Sequence, residues 1–206
     1  KKKVEKFIYF SSSMVYGNFK GDEVDENSNC DPLGIYAALK FSGEKIVKSY
    51  GQVFDLNYTI VRPSALYGER CISRRVGQIF IENALNKKEI TVDGDGEEKL
   101  DFTYIKDLVD GVKKIIESKK SDKEIFNITY GSSRKINEMI EILKQSFENL
   151  DVKYKKRDKL MPLRGTLNID KARDLLNYQP SWSLEKGYPN YINWYKEIFK
   201  IFNENK

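Results

Sequence analysis

The stretch Phe7-Ile8-Tyr9-Phe10-Ser11-Ser12-Ser13 joins a short aromatic and β-branched run to three successive hydroxyls. The run predicts a buried strand, and the serines lie where that strand would end. Open α/β sheets bind their ligands beyond the carboxyl ends of the strands, so the serines mark one edge of a candidate site.

Working outward, Ile35-Tyr36-Ala37-Ala38-Leu39-Lys40 sets a tyrosine and a lysine on one face of a predicted helix over 33–50, which also carries Ile46 and Val47. If that face meets a cofactor cleft, the Lys40 ammonium favours the Tyr36 phenolate. At roughly 4 Å and an effective dielectric of about 20 the attraction is about 4 kcal/mol. The chain holds no histidine, so acid/base chemistry falls to carboxylate, lysine, tyrosine or cysteine.

Between these stretches, residues 17–32 are polar and acidic and read as a surface loop. Beyond them, a strand over 58–61 ends at Arg62-Pro63 because proline cannot extend a central ladder. A loop over 64–73, a helix over 75–86, a strand over 90–92 and the turn Gly94-Asp95-Gly96 follow. Next come a strand over 102–105, a helix over 106–117 with Leu108, Val109, Val112, Ile115 and Ile116 as its apolar face, and a strand over 125–128. The last third predicts helices over 136–147 and 172–176, a strand over 152–154, and a terminal helix whose Tyr191, Trp194, Tyr195, Ile198 and Phe199 read as core. Strands alternating with helices give a largely parallel sheet.

With 206 residues, 40% hydrophobic and 33% charged, the chain can bury a substantial core. The net charge of +5 arises from 36 Lys and Arg spread among 31 Asp and Glu, the pattern of a solvated surface and not of a nucleic-acid footprint. No run of about 18 apolar residues exists, so no membrane span is expected, and Lys1-Lys2-Lys3 precedes too short an apolar segment for a signal peptide. A cytoplasmic address follows. Cys30 and Cys71, far apart and without a CxxC pattern, read as free thiols, and no metal site is expected.

Taken together, Ser11-Ser12-Ser13-Met14-Val15-Tyr16-Gly17, Tyr36xxxLys40, Arg62-Pro63-Ser64-Ala65-Leu66-Tyr67-Gly68-Glu69-Arg70 and Gly94-Asp95-Gly96 leading into Asp101-Phe102-Thr103-Tyr104-Ile105-Lys106-Asp107-Leu108 resemble the extended short-chain dehydrogenase/reductase family, in its nucleotide-sugar epimerase and dehydratase branch. The ending, from Asp170-Lys171-Ala172 to Ser183-Leu184-Glu185-Lys186-Gly187, resembles that family too.

The resemblance implies an α/β fold, part of a Rossmann-like doubly wound, mostly parallel sheet with a small C-terminal α/β substrate lobe. It implies Tyr36 as acid/base, Lys40 as the residue that favours its phenolate and holds the nicotinamide ribose, and Ser12 as hydrogen-bond partner of the reacting sugar oxygen. Ser11, Tyr36, Lys40, Pro63 and Ser64 are the expected cofactor residues, with NAD as cofactor and NADP as the alternative. The expected substrate is a nucleotide-diphosphate sugar, held by Ser12, Ser13 and cations among Arg70, Arg75, Lys99 and Arg164, of which Arg75 and Arg164 stand first. Residues 1–130 are expected to form the C-terminal half of the dinucleotide-binding domain, with substrate-lobe segments interleaved at about 66–100, and 131–206 mainly the substrate lobe.

Three departures refine this. The sugar 4,6-dehydratases carry an acidic pair where this chain has Ser13 and Met14, neither of which serves to eliminate water. Ala65 and Leu100 stand where the family usually has asparagine and arginine. The glycine-rich dinucleotide fingerprint has no counterpart, so the chain reads as the later part of something longer, binding NAD poorly by itself. The leading expectation is an NAD(P)-dependent nucleotide-sugar epimerase, homodimeric in full-length form. The alternatives are a nucleotide-sugar ketoreductase or dehydrogenase and a non-catalytic nucleotide-sugar-binding fragment or pseudoenzyme.

Overall fold

The computed structural model describes residues 4–204, so Lys1-Lys2-Lys3 lies outside the described residues. Its centre is a parallel sheet in which β1 (Phe7–Phe10) pairs with β3 (Tyr58–Arg62) and β3 with β8 (Glu124–Asn127). Phe10 is level with Val61, and Val61 with Phe126, so the three strands end together. Around them stand β2 (Glu23–Val24), β4 (Leu66–Tyr67), β5 (Ile90–Asp93), β6 (Lys99–Leu100), β7 (Thr103–Tyr104), β9 (Arg134–Lys135), β10 (Val152–Lys155) and β11 (Thr166–Leu167). They pair as β5 with β10, β2 with β11 and β4 with β7, all parallel, and β6 with β9, antiparallel. The helices are α1 (Gly34–Phe54), α2 (Val76–Leu85), α3 (Ile105–Glu117), α4 (Ile136–Lys144), α5 (Asp170–Leu176) and α6 (Leu184–Glu204). The α/β class and the largely parallel sheet match the expectation. No described helix is long and apolar enough to cross a membrane.

Four apolar clusters fill the interior among the described residues, and two of them are the largest. One joins Val61, Phe126 and Ile128 of the sheet side to Leu108 and Ile115 of α3, and to Ile169, Ala172, Leu176 and Tyr178. The other gathers Tyr67, Phe80, Val92, Leu100, Phe102, Tyr104, Met139, Tyr188 and Tyr191. Its rings gather around Tyr67, which lies 5.3 Å from Tyr104 in a tilted arrangement and 6.1 Å from Tyr188 edge to face, between centroids. Residues 169–178 therefore return to the sheet after the chain has contributed α4 to the second cluster.

The sequence reading of burial needs three corrections. β1 is half covered, because it forms the edge of its sheet, and Phe7 and Phe10 are 42% and 41% exposed. On α1 the sheet-facing residues are Ala37, Glu44, Val47 and Gly51, while Ile35, Leu39 and Ile46 face outward with Tyr50, Val53 and Phe54. The cause is clearance: the ring of Tyr9 fills the place a Cβ on Gly43 would take, 2.1 Å from its hydroxyl, and Tyr58 crowds Gly51 at 2.5 Å. On α3, Val109 and Ile116 are exposed, and Gly111 lies against Ile128. Gly43→Val is expected to destabilise the fold by about 1–3 kcal/mol, the usual cost of overpacking. A denaturation midpoint unchanged by this substitution would rule out so close an approach of α1 to β1.

Candidate active site

The ends of β1 and β3 deliver Ser11, Ser12, Pro63 and Ser64 to a cleft of about 370 Å³. Backbone bonds from Ser11 N–H to the Val61 carbonyl and from Ser13 N–H to the Pro63 carbonyl, 2.8 and 2.9 Å, continue the ladder past the strands. Ser12 then caps a 3-10 turn over Ser13–Tyr16, its Oγ accepting from Met14 N–H at 3.2 Å. That bond uses an acceptor lone pair, so the Ser12 hydroxyl proton stays available for donation.

Tyr36 stands at the cleft lip in the first turn of α1, with half of its surface exposed. The Lys40 ammonium lies 5.9 Å from the Tyr36 ring centroid and donates to the Phe10 carbonyl oxygen at 2.8 Å. The lysine thus ties α1 to the end of β1, and it stands outside the cleft lining. Ser11 is buried and donates its proton to Glu44 Oε1.

The cleft gathers these hydroxyls, apolar side chains that include Phe80, Val92, Leu100, Phe102, Ile136 and Met139, and the cations Arg75 and Arg164. There Arg164 carries a buried Nε with no hydrogen-bond partner among the described residues. Burial, followed by the charges of Arg157 and Arg75, lowers its pKa to about 10. Arg75 lines the same cleft and donates to Ser73 Oγ at 3.1 Å. Arg157 is held by Glu98 and by the Met161 carbonyl. A desolvated cation pressed by two others is stabilised most by an anion, and a phosphate matches the fork of a guanidinium.

Of the other expected cations, Lys99 turns to the surface and pairs with Asp22 at 3.2 Å, and Arg70, with φ of 63°, stands outside the cleft lining. Neither side chain is among those the cleft gathers. Lys99→Ala is expected to change stability by no more than about 0.5 kcal/mol, as for an exposed pair, and to leave ligand binding unaltered in a calorimetric titration. Cys30 and Cys71 are free, and Cys71 lies beside Ser73 and away from the cleft.

Sequence reasoning missed a buried pair beneath the site. Arg62 Nε and NH2 donate to Glu44 Oε1 and Oε2 at 2.9 and 2.7 Å, with both residues at most 2% exposed. Burial opposes the Arg62 charge, and the Glu44 bonds overcome it and raise its pKa. The guanidinium lies 4.8 Å from the Tyr16 ring, and Tyr16 donates to Asn127 Oδ1 at 2.8 Å. The available signal was spacing, since Glu44 follows Lys40 as Lys40 follows Tyr36.

The profile of the NAD dependent epimerase/dehydratase family matches residues 1–129. UDP-glucuronate 4-epimerase of Thermodesulfobacterium geofontis is 32% identical over 210 residues, covering 98% of this chain and 63% of the relative. Human dTDP-D-glucose 4,6-dehydratase is 27% identical over 205 residues, covering 96% of this chain and 58% of the relative. The crystal structure of UDP-glucuronic acid 4-epimerase from Bacillus cereus, in complex with UDP-glucuronic acid and NAD, superposes with a TM-score of 0.91 at 32% identity, covering 96% of this chain and 63% of that one. The chain thus spans less than two thirds of the length of these relatives.

Proposed function

The chain belongs to the NAD dependent epimerase/dehydratase family, and from that premise we propose that it is the catalytic and sugar-binding portion of an NAD-dependent nucleotide-sugar epimerase. The observation that carries this reading is one cleft that gathers chemically distinct groups. Ser12 and Tyr36 line it together with Arg164, whose buried Nε has no hydrogen-bond partner among the described residues. A nucleotide-diphosphate sugar carries the complementary groups: hydroxyls on the sugar, charge on the diphosphate and a flat base that apolar walls can accept.

Ser11, Pro63, Ser64 and Tyr36, which line the cleft beyond the strand ends, are the residues that would hold NAD. When bound, NAD supplies reversible hydride acceptance from a sugar carbon. Tyr36 takes the proton of the sugar hydroxyl and later returns it, and Ser12 donates a hydrogen bond to the same oxygen. Lys40, fixed by the Phe10 carbonyl, holds positive charge near the Tyr36 ring. Arg75 and Arg164 bind the diphosphate. Ser13 and Met14 offer no acid and base for removing water, which favours epimerisation over the dehydration named for the human relative. In this reading a second copy packs on the exposed apolar face of α1.

The test is mass spectrometry of ligand released from the full-length protein, with NMR of UDP-glucose and UDP-glucuronate incubated with it. NAD in the extract and appearance of the C4 epimer are expected; absence of both would overturn the reading. Arg164→Met is expected to weaken UDP binding about 10- to 100-fold, the loss of a charge-assisted hydrogen-bonding group. It should also raise the melting temperature of the ligand-free protein by relieving a desolvated cation. A variant that binds UDP normally would remove Arg164 from the site.

A further inference from the structure

Glu44 and Arg62 form a two-bonded ion pair in the interior, beneath the cleft and away from any solvent that would reward the charge. A buried pair of this kind contributes little net stability, because desolvating two ions offsets their attraction, so its presence asks for another explanation. Geometry provides one. Glu44 belongs to α1, two turns beyond Tyr36, while Arg62 is the last residue of β3. Ser11, directly after β1, donates to the same carboxylate, and Asn127, the last residue of β8, is reached through Tyr16 under the Arg62 guanidinium. One cluster therefore ties the helix that carries Tyr36 to the ends of all three parallel strands.

Apolar packing tolerates sliding of a helix, whereas hydrogen bonds of fixed length and a planar fork do not. We propose that Glu44 and Arg62 are positioning residues, which fix the height and rotation of α1 so that Tyr36 faces Ser12 across the cleft lip. The proposal rests on the reading of Tyr36 and Ser12 as the reacting groups. Neither Glu44 nor Arg62 lines the cleft, so the pair acts through the helix and the serine turn and not on the ligand.

The experiment uses the full-length protein with Arg62→Met and Glu44→Leu introduced together, which removes both charges at similar volume and leaves the fold intact. Arg62→Lys, which keeps the charge and loses the fork, is the companion. The expected result is a melting temperature and UDP affinity close to those of the parent, with kcat reduced about 100-fold in the double variant, the cost of misplacement by roughly 1 Å. Arg62→Lys should fall between parent and double variant. A crystal structure of the double variant should show the Tyr36 hydroxyl displaced from Ser12 by about that distance. A folded double variant with α1 in its original place overturns the proposal, whether or not the parent turns over any sugar. A parent without turnover overturns only the reading of function.

Discussion

Replacing Tyr36 by phenylalanine in the full-length protein is expected to lower kcat by about 10²- to 10⁴-fold, the contribution of a positioned acid/base group, while UDP affinity stays within about twofold. The separation of the two effects follows from where the side chain sits. Half of its surface is exposed at the cleft lip, so the ring carries little of the packing and its loss of one hydroxyl leaves the fold untouched. Arg164 and Arg75, the proposed diphosphate ligands, lie outside α1, before β11 and at the start of α2. Steady-state turnover beside calorimetric titration with UDP tests this directly. A kcat within tenfold of the parent would move proton transfer to another group. With no histidine in the chain, that group would have to be a carboxylate, lysine, cysteine or tyrosine elsewhere.

Asp101 carries the second large effect, on stability. It is fully buried, and its carboxylate accepts from Thr129 Oγ1 at 3.0 Å, Gly131 N–H at 3.2 Å and Leu167 N–H at 3.1 Å. These donors come from separate segments, so one side chain holds the end of β6 to the segment after β8 and to β11. Asp101→Asn turns an amide toward N–H groups that need an acceptor, and is expected to cost about 2–4 kcal/mol near neutral pH. Burial pushes the Asp101 carboxyl up to about 6 from 3.8, against the pull of those donors. Since the folded value is raised, the contribution is fully present below about pH 3.8 and is lost as pH rises through 6. A shift of that size corresponds to about 3 kcal/mol. The stability gap between parent and Asp101→Asn should therefore narrow from about pH 4 to about pH 7 in urea titrations. A gap that does not vary with pH, or no loss of stability at all, would refute the role given to this carboxylate.

Much of the architecture was legible because strong local signals agreed with the tertiary structure. The run Phe7–Phe10, the tyrosine and lysine helix and the Gly94 turn all fall where pattern and turn chemistry put them. The orientation of α1 was not legible. Periodicity names an apolar stripe, and here the buried face of α1 is Ala37, Glu44, Val47 and Gly51, with Tyr9 and Tyr58 pressed against the glycines at 43 and 51. The pairs β2 with β11 and β6 with β9 are two residues long, too short to carry any period. At the site, Ser12, Tyr36, Arg75 and Arg164 line one cleft, although they are remote in sequence. Lys99 and Arg70 do not, since the direction a side chain takes out of a turn depends on neighbours that local sequence does not specify. Arg62 was legible only as the residue before a proline, and its partner on α1 became evident when the helix was set against the strand.

The return of residues 169–178 to the sheet has a consequence for motion. Between β8 and α5 the chain passes through α4 and β10 on the far side of the cleft, then comes back to pack Ile169, Ala172 and Tyr178 against Ile128 and Phe126. Several covalent crossings, with the Asp101 bonds between them, link the two walls. Such walls cannot swing apart on a single flexible joint. The 156–163 segment is held within itself, where Arg157 donates to the Met161 carbonyl, and slow exchange of backbone amides should rise and fall together on both walls.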